Sequence, residues 1–101
     1  MFGRARFGKL VEAQLDVFLA DHRDLVADAD DRLAAYNRAD RAEAEELYGD
    51  YVDAVDVAVD ALVEMRDHYA RTVDDPDGYV HAFDRAVARR LPEYAAVLEN
   101  R

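Results

Sequence analysis

Apolar residues recur every three or four positions along nearly the whole chain and never alternate with period two, a pattern that predicts helices and no strands. The stretch 47–69, LYGDYVDAVDVAVDALVEMRDHY, sets the architecture. At about 100° per residue, Leu47, Tyr51, Ala54, Ala58, Leu62, Met65 and Tyr69 form one stripe, and Tyr48, Val52, Val59 and Val63 form a second beside it. The apolar arc therefore covers roughly half the circumference, more than a helix with a single neighbour needs. Such a helix demands a companion on each flank.

The segments on either side supply those companions. Over 9–36, Val11, Leu15, Phe18, His22, Leu25, Ala29, Leu33 and Tyr36 repeat at helical spacing, which predicts one continuous helix. Such a helix would be roughly 42 Å long at a rise of 1.5 Å per residue. Asn37–Asp40 reads as the turn, with Asp40 and Glu43 spaced as in a capping box that starts a second helix over 41–72. Asp74, Asp75, Pro76, Asp77 and Gly78 form the next break, where Asp75 suits the cap and Pro76 the first helical position. A third helix follows, with Tyr79, Phe83, Ala86, Val87 and Tyr94 on one side. Pro92 must kink or split it, because a proline inside a helix removes one hydrogen bond and clashes a turn back.

Short connections make consecutive helices antiparallel. The expectation is an all-α fold, one domain over 1–101, built as an antiparallel up-down-up three-helix bundle. Its first two helices are long, and its third is kinked or split at Pro92. An alternative keeps the first two helices as a hairpin that meets its own copy in a four-helix core, with the third lying across it.

Composition narrows the chemistry. The chain has no Ser, Cys, Trp or Ile and a single Thr, Thr72, so Ser/His/Asp and Cys/His nucleophilic catalysis, zinc fingers and iron–sulfur clusters are excluded. None of Gly3, Gly8, Gly49 and Gly78 falls in a phosphate-cradling spacing. The formal net charge is −10 and Lys9 is the only lysine, a balance that opposes binding to nucleic acid or anionic lipid. No apolar run is long enough for a membrane span and no signal-peptide pattern opens the chain, so the expected location is cytoplasmic. The first nine residues carry only positive side chains, Arg4, Arg6 and Lys9, interleaved with Phe2 and Phe7. That start reads as a helix end that docks Phe7 on the core and leaves its cations in water.

Two sets of residues stand out as candidate sites. Tyr48, Val52, Val59 and Val63 form an apolar ridge on the second helix and are the expected contacts of a homodimer or of an unidentified protein partner. His22, Glu64, His68 and His81 are the expected ligands if a metal binds, with Asp60, Glu64 and His68 recurring on one face. The Glu-x-x-x-His spacing at Glu64 and His68 departs from the Glu-x-x-His of di-iron bundles, and His81 projects away from its helix's apolar side. On this reading the protein is a non-enzymatic helical interaction module that needs no cofactor, and a metal- or ligand-binding bundle is the alternative. Arg85, Arg89 and Arg90 are expected partners for the acidic stripe Glu46, Asp50, Asp53, Asp56, Asp60, Glu64 and Asp67.

Overall fold

A computed structural model describes residues 6–101, so Phe2 and Arg4 lie outside the described residues. The fold is all-helical, with helices α1 (Gly8–Asp21), α2 (Arg23–Arg38), α3 (Arg41–Ala70), α4 (Pro76–Arg90) and α5 (Pro92–Leu98), and no strand among the described residues. Local chemistry sets most boundaries. The Asp40 carboxylate accepts from the Glu43 amide at 3.1 Å and opens α3. Asp75 accepts from the Gly78 amide at 3.1 Å and opens α4 with Pro76 in its first turn. Leu91 stands between α4 and α5 at φ −135° and ψ 60°, outside the helical region that the following proline denies it.

The expected three-helix bundle becomes five helices. One of the two extra breaks is the anticipated split before Pro92. The other falls at His22, where φ −117° and ψ 34° interrupt the predicted helix 9–36. The interruption is local, since the His22 amide still donates to the Phe18 carbonyl and the Val26 amide to the His22 carbonyl. Its consequence is a change of neighbour: α2 lies along α3, whereas α1 leans onto α4. The two stripes of α3 are thus served by α2 on one flank and by α4 and α5 on the other, in place of the whole first helix and the third.

Polar contacts hold these placements. Arg90 reaches Glu12 at 3.0 Å and Asp16 at 2.7 Å, and Arg89 reaches Glu12 at 2.7 Å, so these two arginines clamp α1 and not the acidic stripe of α3, while Arg85 lines a recess with His81 and Asp84. That stripe finds other cations: Arg32 approaches Asp50 at 3.9 Å, Arg66 meets Asp67 at 3.0 Å, and Arg101 pairs with Asp56 and Asp60. Buried Arg66 also reaches Asp84 at 3.1 Å and so ties α3 to α4. Its aliphatic stem covers apolar surface while its planar head satisfies two carboxylates.

The core gathers Val11, Leu15 and Phe18 of α1, Val59 and Leu62 of α3, Tyr79, Phe83 and Val87 of α4, and Tyr94 and Leu98 of α5, all buried. Phe7 joins it, edge-on to Tyr79 with ring centroids 5.7 Å apart, as the sequence predicts. The Tyr79 hydroxyl donates to Gln14 Oε1, which satisfies the one uncharged polar side chain buried beside it. The core is off-centre. From Ala54 onward α3 is buried on one side, but no residue over 41–53 is buried, and α2 buries only Ala29. The molecule is accordingly elongated, 51 × 23 × 20 Å, with one end made of the α2–α3 hairpin alone.

Candidate interaction surface

The outer end of the hairpin combines an irregular aromatic group with incomplete cover. Tyr36 of α2 meets Tyr48 of α3 at 5.2 Å between ring centroids, and Tyr48 meets Tyr51 at 6.2 Å, in tilted arrangements. One turn separates Tyr48 from Val52 along α3, so both lie on the same side of that helix. Tyr48 is 50% exposed, while Tyr36, Tyr51 and Val52 are half-buried. These contacts follow from antiparallel pairing about the 39–40 turn, which also sets Arg32 at the height of Asp50.

The covered part of the hairpin ends near Tyr94. Its ring is fully buried and its hydroxyl has no hydrogen-bond partner among the described residues. Burial pushes its phenol up to about 12, with smaller contributions from Asp30, Glu93 and Tyr51. Tyr51, at the border of the covered region, is raised as well, by burial first and then by Glu93, Tyr48 and Asp30. A carboxylate beside a phenol disfavours a second negative charge, so Tyr51 is held as a neutral donor at the rim of the surface.

The ridge anticipated on this helix is only partly a surface. Val59 is fully buried in the core and Val63 is half-buried against it, because α4 and α5 occupy that flank of the lower half of α3. What remains open is Tyr48 and Val52, joined by Tyr36 and Tyr51. Sequence periodicity places a residue on a face but does not say how far along that face the covering helices extend. Beside this surface, Asp28, Arg32, Asp50, Asp53, Ala54 and Val57 line a shallow acidic groove of ≈ 270 Å³. Val57, 51% exposed there, and Leu10, 42% exposed on α1, were not among the residues singled out by periodicity.

Of the four candidate metal ligands, the structure brings three to one place. His22, Glu64 and His68 line a groove of ≈ 340 Å³ with Ala61, Met65, Tyr69 and Arg71, formed where the chain turns from α1 into α2 beside the end of α3. His81 lies apart, in a recess with Asp84 and Arg85 between α4 and α5. Among the described residues no three His, Asp or Glu side chains converge closely enough to hold a metal ion. The His22 ring instead lies 5.0 Å from that of Phe18, and His68 is edge-on to Tyr69 at 5.0 Å. No described helix is long and apolar enough to cross a membrane.

Comparison with protein-family models, with curated proteins and with solved structures finds no match to this chain.

Proposed function

We propose that this chain is a non-enzymatic helical interaction module whose working surface is the outer end of the α2–α3 hairpin, with Tyr48 and Val52 as its principal contacts. The observation that supports the reading is the missing third layer. α3 carries bulky apolar side chains from Leu47 to Tyr69, yet no residue over 41–53 is buried, and Tyr48 stands half-exposed in an aromatic group at that end. Tyrosine suits such a surface because it offers a large apolar ring with a hydroxyl that can remain in water, at a low cost in side-chain freedom. A helix of a partner laid along the Tyr48–Val52 side would complete the layer that α4 and α5 begin.

The test compares capture from native extract by the wild-type chain and by Tyr48→Asp, with helicity and melting followed by circular dichroism. Tyr48 is half-exposed but packs on Tyr36 and Tyr51, so the substitution should cost about 1–2 kcal/mol, which leaves a domain of this size folded. The expected result is a partner retained by the wild-type chain and lost by the variant. An identical captured set from both, with the fold intact, contradicts the reading.

A further inference from the structure

The outer end of the α2–α3 hairpin is more acidic than the rest of the molecule. Residues 30–53 carry eight carboxylates and three arginines, so half of the net charge of −10 falls on less than a quarter of the chain. Of those eight, only Asp50 takes part in an ion pair among the described residues, with Arg32 at 3.9 Å. Glu93 of α5 takes part in none either.

Three of these free carboxylates frame the uncovered aromatic surface. Glu45 precedes Tyr48 by three residues and Val52 by seven, so it stands on their side of α3. Asp30 of α2 and Glu93 both act on the phenols of Tyr51 and Tyr94, which places them at the foot of the surface. There the buried Tyr94 hydroxyl has lone pairs and no donor among the described residues. All three carboxylates are exposed. The arginines of this end lie elsewhere, Arg32 with Asp28 and Asp50 beside the neighbouring groove, and Arg38 and Arg41 at the turn.

Exposed phenol rings next to free carboxylates suit an ammonium or a guanidinium, by cation–π attraction and by charge-assisted hydrogen bonds. A second copy of this chain would bring the same negative end and be repelled. We propose that the occupant of the hairpin surface is a basic amphipathic helix of another protein, its apolar stripe on Tyr48 and Val52 and its lysines or arginines against Glu45, Asp30 and Glu93. The proposal rests on the hairpin end being the working surface and adds the chemistry of what it holds. From Arg41 to Val52 the open side of α3 runs roughly 17 Å, which a partner helix of three to four turns matches.

The test titrates synthetic peptides of about 14 residues into the isotope-labelled full chain. One is a Leu, Ala and Lys helix with its leucines at i, i+3, i+4 and i+7, one has the same composition scrambled so that the stripe is lost, and one has Glu for every Lys. The striped basic peptide should bind at least about tenfold tighter than its scrambled form, and the acidic one should not bind up to about 1 mM. Amide shifts should move over 30–37, 45–52 and 93–94. Raising the salt from about 0.05 M to 0.5 M should weaken binding about tenfold. Tyr48→Ala should cost about tenfold in affinity. The triple change Asp30→Asn, Glu45→Gln and Glu93→Gln, all at exposed positions, should cost about as much and flatten the salt dependence, with an unchanged circular dichroism spectrum. A striped peptide that binds no better than the scrambled one, or equally well to the triple variant, overturns the proposal, as do shifts centred on Asp28, Asp53 and Val57 in the neighbouring groove. Capture from extract that Tyr48→Asp abolishes, with no binding of the striped basic peptide, removes the basic helix alone. Capture that ignores Tyr48→Asp removes the surface and the proposal with it.

Discussion

Phe18→Ala is expected to destabilise the chain by about 3–5 kcal/mol, the cost of deleting a fully enclosed aromatic ring and leaving a cavity that its neighbours cannot fill. A domain of this size has roughly 5–15 kcal/mol to lose, so much of the margin goes with one side chain. Phe18 sits on the face of α1 that joins the core shared with α4, and the polar clamp beside it, Arg89 and Arg90 on Glu12 and Asp16, is too exposed to hold α1 alone. Urea unfolding followed by circular dichroism measures the loss as a drop in the transition midpoint. Val17→Ala, on the bare side of the same helix, should change stability by no more than about 0.5 kcal/mol. A Phe18→Ala cost below about 1 kcal/mol would mean that α1 is not docked as described.

Alkaline unfolding should be steep and confined to the window between pH 10 and 12. Burial pushes the phenols of Tyr79 and Tyr94 from the ordinary 10 up to about 12 in the folded chain, against a smaller opposing influence of the Gln14 hydrogen bond at Tyr79. The folded state therefore keeps two protons that the unfolded state releases. Stability is unaffected by these groups below pH 10 and falls as the pH climbs toward 12, by roughly 2–3 kcal/mol for each tyrosine. Together the two losses rival the whole stability of a small domain. Urea midpoints collected from pH 8 to 12 test this. Tyr94→Phe should remove about half of the alkaline loss and be neutral or stabilising at pH 8, since the hydroxyl it deletes has no partner. Tyr79→Phe removes the other half at a cost of about 1–3 kcal/mol, because it leaves buried Gln14 without its donor. A midpoint that stays flat through pH 11 contradicts the burial of both rings.

What could be read from the residues was whatever local chemistry decides. The Asp40 cap, the Asp75–Pro76 start of α4 and the interruption before Pro92 are each a consequence of one or two side chains acting on neighbouring backbone, and each lies where the sequence predicts. The break at His22 has no such signature. No proline or glycine stands there, and the weakest part of the apolar pattern, 27–31, lies inside α2. The break goes with a change of neighbour between α1 and α2, a matter of packing that periodicity cannot carry. The same limit explains the arginines. The helix that would carry them was evident, but Arg89 and Arg90 meet Glu12 and Asp16 only because α1, ending at the unforeseen break, leans onto α4.

The candidate surface was legible in the same partial way. Tyr48 and Val52 share a stripe with Val59 and Val63, and nothing in that spacing says that α4 and α5 stop short of the first two and close over the others. Likewise Leu10 and Val17 stand seven residues apart on the side of α1 away from Val11, Leu15 and Phe18, a pattern visible in the sequence but ambiguous until the neighbours of α1 are known.

The central claim is that the free chain leaves the end of its longest helix pair uncovered, and residue-resolved hydrogen exchange tests it most directly. Amides over 33–36 and 45–50 should exchange at least about a hundredfold faster than those over 58–62 and 83–87, because two-helix packing alone holds the hairpin end while three or more elements hold the core. Equal protection along all of α3 would show that its outer half is already as firmly held as the core, and would contradict the reading of that end as a surface awaiting a partner.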